Sequence, residues 1–333
     1  MSVGLRIATF NVENLDDKPS KSAYEPKFEE RVKVLRPQLQ RLHADILCLQ
    51  EVNSQQEPDG TRHLRALDRL LQDTPYATYH RAVTQVEVKG KLQFNSERNL
   101  VILSRFEMTQ SQQYLNTLTP ALFYQTVTAN PPETSPEAIR WERPILHATV
   151  KLPGDQTLEV LNLHLKSKHP TVIPGQMQDR FTWKTASGWA EGFFISSMKR
   201  VGQALETRLL IDQLFDQNEG AFIVVCGDFN ADFDEVPVEA IRGQVENTGN
   251  GDLSPRVLVP CENTIPETSR YTLFHRGKKC MLDHLLVSRS LLAYYEGAEI
   301  HNELLPDESI AFATDKKFPE SDHGPVIAKF QLD

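Results

Sequence analysis

Six apolar residues in a row, Ala221 to Cys226, lie between Gly220 and Gly227 and run directly into Asp228-Phe229-Asn230. A run of that length with glycine at both ends predicts a buried strand, so Asp228 and Asn230 leave its carboxyl end together. A carboxylate and a carboxamide two residues apart can lie on one face. One can hold a cation or polarise a water while the other hydrogen-bonds an oxyanion. An isolated Gly-Asp-x-Asn reads better as a strand end followed by an Asx turn. Further strand ends carrying the same chemistry turn the balance toward a ligand site, which α/β sheets keep at the carboxyl ends of their strands.

The same patterning recurs along the chain. Leu5 to Leu15 predicts a strand that delivers Asn11 and Glu13 to one side, and Asp45 to Val52 a second buried strand that ends on Glu51. An ionised carboxylate at the end of an apolar strand needs compensation, so Glu51 calls for either a cation or a Lys/Arg partner. Between these strands, apolar positions 28, 32, 35, 39 and 42 form a helical stripe that Pro37 is expected to kink or divide. A short helix is predicted from about Thr61 to Gln72. Ser96 to Arg105 is a polar approach, with Glu97, into another buried strand. Residues 107–140 read as edge structure or a loop over the site.

Trp141-Glu142-Arg143-Pro144 leads into the alternating strand Ile145 to Leu152, and Arg143 is either a phosphate fork or a surface arginine. From Thr157 to Lys166 the chain alternates, so that Asn162, His164 and Lys166 share one face and Leu161, Leu163 and Leu165 the other. An Asn-His-Lys face is a sensible anion site, although a lone strand histidine is also a common structural group. Residues 167–199, with Trp183, Trp189, Phe193 and Phe194, read as a lid or substrate wall. Val201, Leu205, Leu209, Leu210 and Leu214 mark a helix before the Asp228 turn, and 231–270 reads as loop-rich. Near the carboxyl end, Cys280 to Ser288 is a strand interrupted by Asp283-His284. Ser321-Asp322-His323 opens a closing strand from Val326 to Leu332. An Asp beside a His gives a metal or water ligand and a proton carrier in one turn, and a buried Asp283 could hold His323 in the needed tautomer.

Composition narrows the class. The 333 residues are 40% hydrophobic and 24% charged, with no run near the roughly 20 apolar residues of a membrane span. No linker divides them, so a single domain over 1–333 is expected. Four scattered cysteines without a CxxC pair argue against zinc, a redox couple or a disulfide framework. The amino terminus has neither the cationic head nor the apolar core of a secretory signal, and a cytoplasmic location is expected. A net charge of −9 weighs against a long nonspecific DNA footprint, yet carboxylates gathered round a cation add negative count by themselves.

Thr9-Phe10-Asn11-Val12, Leu49-Gln50-Glu51-Val52, Asn162-Leu163-His164-Leu165, Gly227-Asp228-Phe229-Asn230, Leu282-Asp283-His284 and Ser321-Asp322-His323, in this order, resemble the motifs of the endonuclease/exonuclease/phosphatase superfamily, in particular its deoxyribonuclease-like branch. The resemblance implies an α/β (α+β) four-layer sandwich, two packed mixed β-sheets flanked by helices, with the site at one rim. It implies that Glu51, with Asn11 and Asp322, holds the metal. Asp228 would orient or deprotonate the attacking water, Asn230 would hold the phosphate, and His323, steered by Asp283, would act on the phosphate or as base. His164 falls where the deoxyribonuclease and phosphatase branches carry a histidine and the abasic-site branch a tyrosine. Glu97 resembles the carboxylate that pairs with that histidine, and Arg143 an arginine on phosphate; Asn162 and Lys166 complete the expected phosphate contacts. Oxygen ligands of this kind suit Mg²⁺ or Mn²⁺.

The resulting expectation is a Mg²⁺-dependent phosphodiester hydrolase, a nuclease acting on DNA or RNA by in-line attack of water. The alternative is a phosphatase or phosphodiesterase for a small-molecule or lipid phosphoester. A catalytically silent binding module on the same fold is disfavoured, because neither histidine nor an acidic partner is missing. No obligate protein partner is evident.

Overall fold

The structure is a computed structural model that describes residues 3–18, 25–154, 156–314 and 316–332. Met1 and Ser2, where the reading of the amino terminus begins, lie outside the described residues. Twelve strands form two six-stranded mixed sheets. In chain order they are β1 (Val3–Leu15), β2 (Ile46–Val52), β3 (His80–Val83), β4 (Asn99–Ser104), β5 (Met108–Tyr114), β6 (Ile145–Lys151), β7 (Thr157–His164), β8 (Phe222–Asp228), β9 (Leu258–Pro260), β10 (Asp283–Ser288), β11 (Tyr295–Ile300) and β12 (Val326–Leu332). The first sheet runs β11-β12-β1-β2-β4-β3 and the second β9-β10-β8-β7-β6-β5. Each has one central parallel pair, β1 with β2 and β7 with β8, among antiparallel neighbours.

Period-two alternation explains the layers. Leu5, Ile7, Ile46, Cys48, Leu100 and Ile102 of the first sheet face Leu146, Ala148, Leu158, Val160, Val224, Cys226, Leu285 and Val287 of the second, and this inter-sheet core is fully buried. The opposite face of the first sheet, through Ala8, Phe10, Leu47 and Leu49, packs on helices α1 (Phe28–Leu42) and α2 (Arg65–Leu71). The outer face of the second, through Leu161, Leu163, Ile223 and Val225, packs on α3 (Ala186–Gln217) and α4 (Val236–Arg242). The result is the helix–sheet–sheet–helix sandwich that the resemblance implies.

Four expectations are corrected. Helix α1 is continuous through Pro37, which sits on its exposed side, where water can satisfy the carbonyl the proline leaves free. The short helix begins at Arg65 rather than near Thr61, because Arg62 and His63 pair with Gln55 and Gln56 in a small hairpin. Half of the 167–199 segment is the first part of α3, a 32-residue helix whose amino end is capped by the Thr185 hydroxyl. Its buried stripe is Ala204, Leu210, Ile211, Leu214 and Phe215, whereas Val201 and Leu205 face outward.

Gly227 lets two adjacent strands close tightly beside the site. Its φ is +135°, and a Cβ there would stand 2.0 Å from the Leu163 carbonyl oxygen. No helix among the described residues is long and apolar enough to cross a membrane.

Candidate active site

At one rim the inter-sheet residues change from apolar to polar. Ile7 is followed on the same face by Thr9 and Asn11, Cys48 by Gln50, Val160 by Asn162 and His164, and Cys226 by Asp228, while Leu285 is preceded by Asp283. Strand polarity brings these ends together: β7 and β8 run parallel with His164 opposite Asp228, and β10 returns antiparallel with Asp283 opposite Asp228.

Asp228 is the centre. Its Oδ2 accepts a hydrogen bond from Asn11 Nδ2 at 3.1 Å and lies 3.2 Å from His164 Nε2; its Oδ1 accepts from the Asn230 backbone N–H at 2.9 Å. Burial alone would raise its pKa, but the neighbouring imidazoles of His164 and His323 outweigh burial and hold the carboxyl well below its usual range. The His323 Nε2 is 3.9 Å from the same Oδ2, and His323 Nδ1 is 2.7 Å from Asp283 Oδ2. Burial disfavours an imidazolium there. Asp283 and Asp228 overcome it and raise the His323 pKa well above that of a free imidazole. His164 goes the other way, lowered by burial and by the Arg143 guanidinium. Their surroundings therefore bias the two histidines in opposite directions.

Glu51 stands 3.7 Å from His164 Nε2 and accepts the Asn14 N–H at 2.9 Å. Its strand is bulged: the register of β2 with β4 shifts between Leu49 and Val52, and Glu51 has φ +62°. Glu13 and Asn14 also hold positive φ where β1 shifts against β2. Three non-glycine residues in this region cost on the order of 1–3 kcal/mol each, strain that tends to collect at functional sites.

The metal set expected from the sequence, Glu51, Asn11 and Asp322, lies at this rim with Glu13 beside it. The Asp322 backbone N–H donates to Glu13 Oε2 at 3.3 Å, while Asp322 Oδ1 is buried and has no hydrogen-bond partner. Burial and then the Glu13 carboxylate push the Asp322 pKa well up; burial raises Glu13, with Glu51 adding to it. Carboxylates crowded in this way, one with an orphaned oxygen, fit a hard divalent cation. Among the described residues it is a different group, Asp228, Asp283 and His323, whose ligand atoms all lie within 4.8 Å of one another. There the His323 ring nitrogen is already tied to Asp283 and the imidazolium itself supplies the positive charge, so the Glu51 side is the better cation seat.

On the other flank lie cations. Arg143 is buried, and its Nη1 donates to the carbonyls of His164 (3.1 Å) and Leu165 (2.9 Å). Arg98 and Arg143 both act electrostatically on Glu51, whose pKa stays below the carboxylate range despite burial because His164 and these arginines outweigh it. Lys166 lies just beyond β7, with Nζ 3.2 Å from Ser167 Oγ.

Two expected roles are corrected. Asn162 does not face a phosphate: it is fully buried, its Oδ1 accepts from Gln50 Nε2 at 2.7 Å, and its Nδ2 donates to the carbonyls of Leu49 and Val101, both at 3.0 Å. It ties the two sheets together beneath the site. Glu97 is exposed on the loop before β4; the carboxylates within ion-pair distance of His164 are Glu51 and Asp228. The next residue, Arg98, is the one that reaches the site electrostatically. The Asn230 carboxamide donates one N–H to the Leu165 carbonyl at 3.1 Å, which braces the turn after β8. Sequence reasoning assigned no role to Arg98, Gln50 or Glu13. Glu13 had been seen to share a face with Asn11, and that spacing was the available signal.

Behind the site, His284 is buried with Nδ1 2.7 Å from Glu262 Oε1 and Nε2 2.9 Å from the Ala231 carbonyl, which fixes the turn after Asp228. Burial opposes its charge, but Glu262 prevails and raises its pKa.

This geometry has the outline of a phosphoester-cleaving centre, and comparison with known proteins gives the class. A profile of the Endonuclease/Exonuclease/phosphatase family matches residues 8–323, and the chain belongs to that family, whose members are phosphoester hydrolases and generally depend on a divalent metal. Three solved structures show the shared fold. One is a family protein from Bacteroides thetaiotaomicron (16% identity, TM-score 0.56, covering 100% of this chain and 96% of that one). Another is an AP endonuclease from Archaeoglobus fulgidus (17%, 0.52, 98% and 99%). The third is a mannosyl-6-phosphatase from Bacteroides thetaiotaomicron VPI-5482 (15%, 0.57, 99% and 100%). No curated protein sequence matches the chain.

Two outcomes are expected. Asn162→Ala removes the shortest acceptor of Gln50 Nε2 and the side-chain donor to two buried carbonyls and should lower the unfolding free energy in urea by about 2–4 kcal/mol; a phosphate-contacting Asn162 would instead leave stability unchanged. A raised folded-state pKa at His284 means that its pairing stabilises the fold fully below the unfolded imidazole pKa and fades as pH rises through the raised value. The stability gap between the protein and His284→Gln should therefore narrow from pH 6 to pH 9 in urea titrations.

Proposed function

We propose that the chain is a Mg²⁺- or Mn²⁺-dependent phosphodiesterase that cleaves nucleic acid. The observation that carries this reading is the opposed charge of the two flanks around Asp228: carboxylates Glu13, Glu51 and Asp322 on one side, and Arg98, Arg143 and Lys166 on the other. A phosphodiester placed between them has a seat for its cation and donors for its oxygens.

Glu51, Asn11 and Asp322, with Glu13, would hold the divalent ion, which when bound offsets charge building on the phosphoryl oxygens. The rest is the work of the chain's own groups. Asp228, its oxygens fixed by Asn11, His164 and the Asn230 N–H, orients a water in line with the phosphorus; its depressed pKa suits it to positioning more than to holding a proton. As the new P–O bond forms and the ester P–O bond breaks, the His323 imidazolium donates its Nε2 proton to the leaving oxygen. The water's proton is released to solvent, and His323 is then reprotonated. Asp283 keeps the His323 Nδ1–H engaged so that Nε2 carries the transferable proton. His164 serves by holding Asp228.

The reading is tested with plasmid DNA, RNA and p-nitrophenyl mono- and diesters, each in Mg²⁺ and in EDTA. Nucleic acid and the diester should be cleaved only with metal. Turnover of the monoester alone would instead establish the phosphatase reading. Glu51→Gln should abolish turnover while leaving the melting temperature in metal-free buffer within a few degrees, and full activity in that variant would remove the proposed metal seat. Asp283→Asn should lower kcat on the order of 10² or more, and His323→Ala by a similar factor, because the two act as one unit. A harmless Asp283→Asn would show that the pair does not work together.

A further inference from the structure

The first half of α3 carries a face that the reaction does not use. Trp189, Phe193, Ser196 and Arg200 recur at helical spacing and form one stripe. The lower two members clasp the loop that leaves the catalytic strand. Arg200 Nη1 donates to the carbonyls of Lys166 and Ser167, both at 3.1 Å, and the Ser196 hydroxyl donates to the His169 carbonyl at 2.7 Å. Lys166 is two residues from His164. The upper two members carry no covering element: Trp189 is 46% exposed and Phe193 40% exposed, and their rings stack with centroids 5.7 Å apart at 25°. An aromatic pair left half-open on a rigid helix is a surface awaiting a flat partner.

The charge around the stripe selects that partner. Although the whole chain has a net charge of −9, residues 166–200 hold six Lys/Arg against two Asp/Glu. One of the two acids, Glu191, is turned inward and consumed by Tyr124 Oη and the backbone N–H groups of Val127 and Thr128. Lys166 feels Glu142 first among its charged neighbours and then Arg143, Lys199 and Arg98 as like charges; Lys199 Nζ is paired with Glu142 Oε1 at 2.8 Å, so between the catalytic residues and the foot of α3 four cations meet one carboxylate. From Arg200 to Phe193 and Trp189 is 7 and 11 residues of helix, roughly 10 and 16 Å. That is the reach of a few nucleotides of unpaired strand.

Resting on the phosphodiesterase reading above, we infer that Trp189 and Phe193 form a base-stacking platform for single-stranded nucleic acid, with Arg98 and Lys166 tracking its backbone from the scissile phosphate. Stacking on aromatic faces combined with a cationic track is the general way in which unpaired strands are held without sequence preference. A duplex keeps its base faces inside the stack and could not use this pair. The rings lie flush against each other instead of projecting as separate tips, which favours a stacked base over insertion into lipid.

The test uses the full chain in EDTA with a fluorescein-labelled oligothymidylate of about ten nucleotides, followed by anisotropy. Trp141 is buried and Trp183 half-buried, so quenching of the wild-type tryptophan emission on binding reports chiefly on Trp189. Trp189→Ala and Phe193→Ala should each weaken binding by about 10-fold or more, Trp189→Phe should keep most of the affinity, and binding should fall steeply with NaCl. Hydrolysis of bis(p-nitrophenyl) phosphate with Mg²⁺ should be unchanged in all three, which also shows that they fold. Alanine variants that bind the oligonucleotide as the wild type does would overturn the platform. So would a wild-type protein that ignores it but binds phosphatidylglycerol vesicles through Trp189. If the small diester is cleaved while the oligonucleotide is ignored, only the platform fails; if the diester is not cleaved either, the phosphodiesterase reading fails with it.

Discussion

A buried carboxylate at the seam of two sheets sets the terms for the rest of this molecule. Asp228 lies in the same row as Val224 and Cys226, so the alternation that fills the inter-sheet core also carries a charge into it. A charge there is tolerated only with partners of fixed geometry, and both sheets supply them: Asn11 from β1 of the first, His164 from β7 of the second. Sheet packing and site assembly are therefore one problem. The Gln50–Asn162 amide contact just below joins the two sheets, and burial in this seam strengthens the electrostatic interactions above it.

Much of this was legible in the sequence because strand ends announce themselves. Apolar runs that break on Asn11, Glu51, His164 and Asp228 give both the buried strand and the polar tip, and the shared face follows from period two alone. The side of the strand on which a polar residue performs its task was harder to see. Asn162 and His164 have the same parity, yet Asn162 is one step deeper, where its amide meets backbone carbonyls of the facing sheet instead of substrate. Its depth depends on how far the first sheet extends over it, a tertiary fact that no local pattern encodes. Glu97 and Arg98 show the opposite limit. They sit on a loop, where one residue of offset exchanges which side chain faces the pocket, and the positive φ of Arg98 decides in favour of the cation.

Helix α3 illustrates how packing overrides periodicity. Leu205 and Val201 fit a helical stripe on paper but lie outward, while Ala204, Leu210 and Ile211 meet the sheet. The helix outruns the sheet, and its surplus turns are held by an insertion: Ile195 packs with Ala129, Ile139 and Ile173, and Glu191 gathers the backbone of 127–128. Further down, Glu206 accepts from Trp141 Nε1 and from the N–H groups of Asn116, Thr117 and Leu118. Two buried glutamates thus anchor two otherwise irregular loops to one helix, which is why a Pro-rich segment without strong periodicity is nonetheless ordered.

The acidic net charge and a polyanionic substrate are compatible because the charge is not spread evenly. Around Asp228 the carboxylates of Glu13, Glu51 and Asp322 crowd one flank, and their mutual repulsion is a standing cost that a divalent cation would remove. The opposite flank crowds Arg98, Arg143 and Lys166, whose repulsion a phosphate would relieve in the same way. Each flank is therefore least stable when empty, and a cation and a phosphodiester bound side by side neutralise both at once. Binding energy of this kind needs no large basic surface: it is concentrated in a few groups at one rim, of which Arg143 is buried and least screened by salt. A net charge of −9 sums the whole chain, buried carboxylates included, whereas the distribution of charge at one rim governs what the cleft will accept.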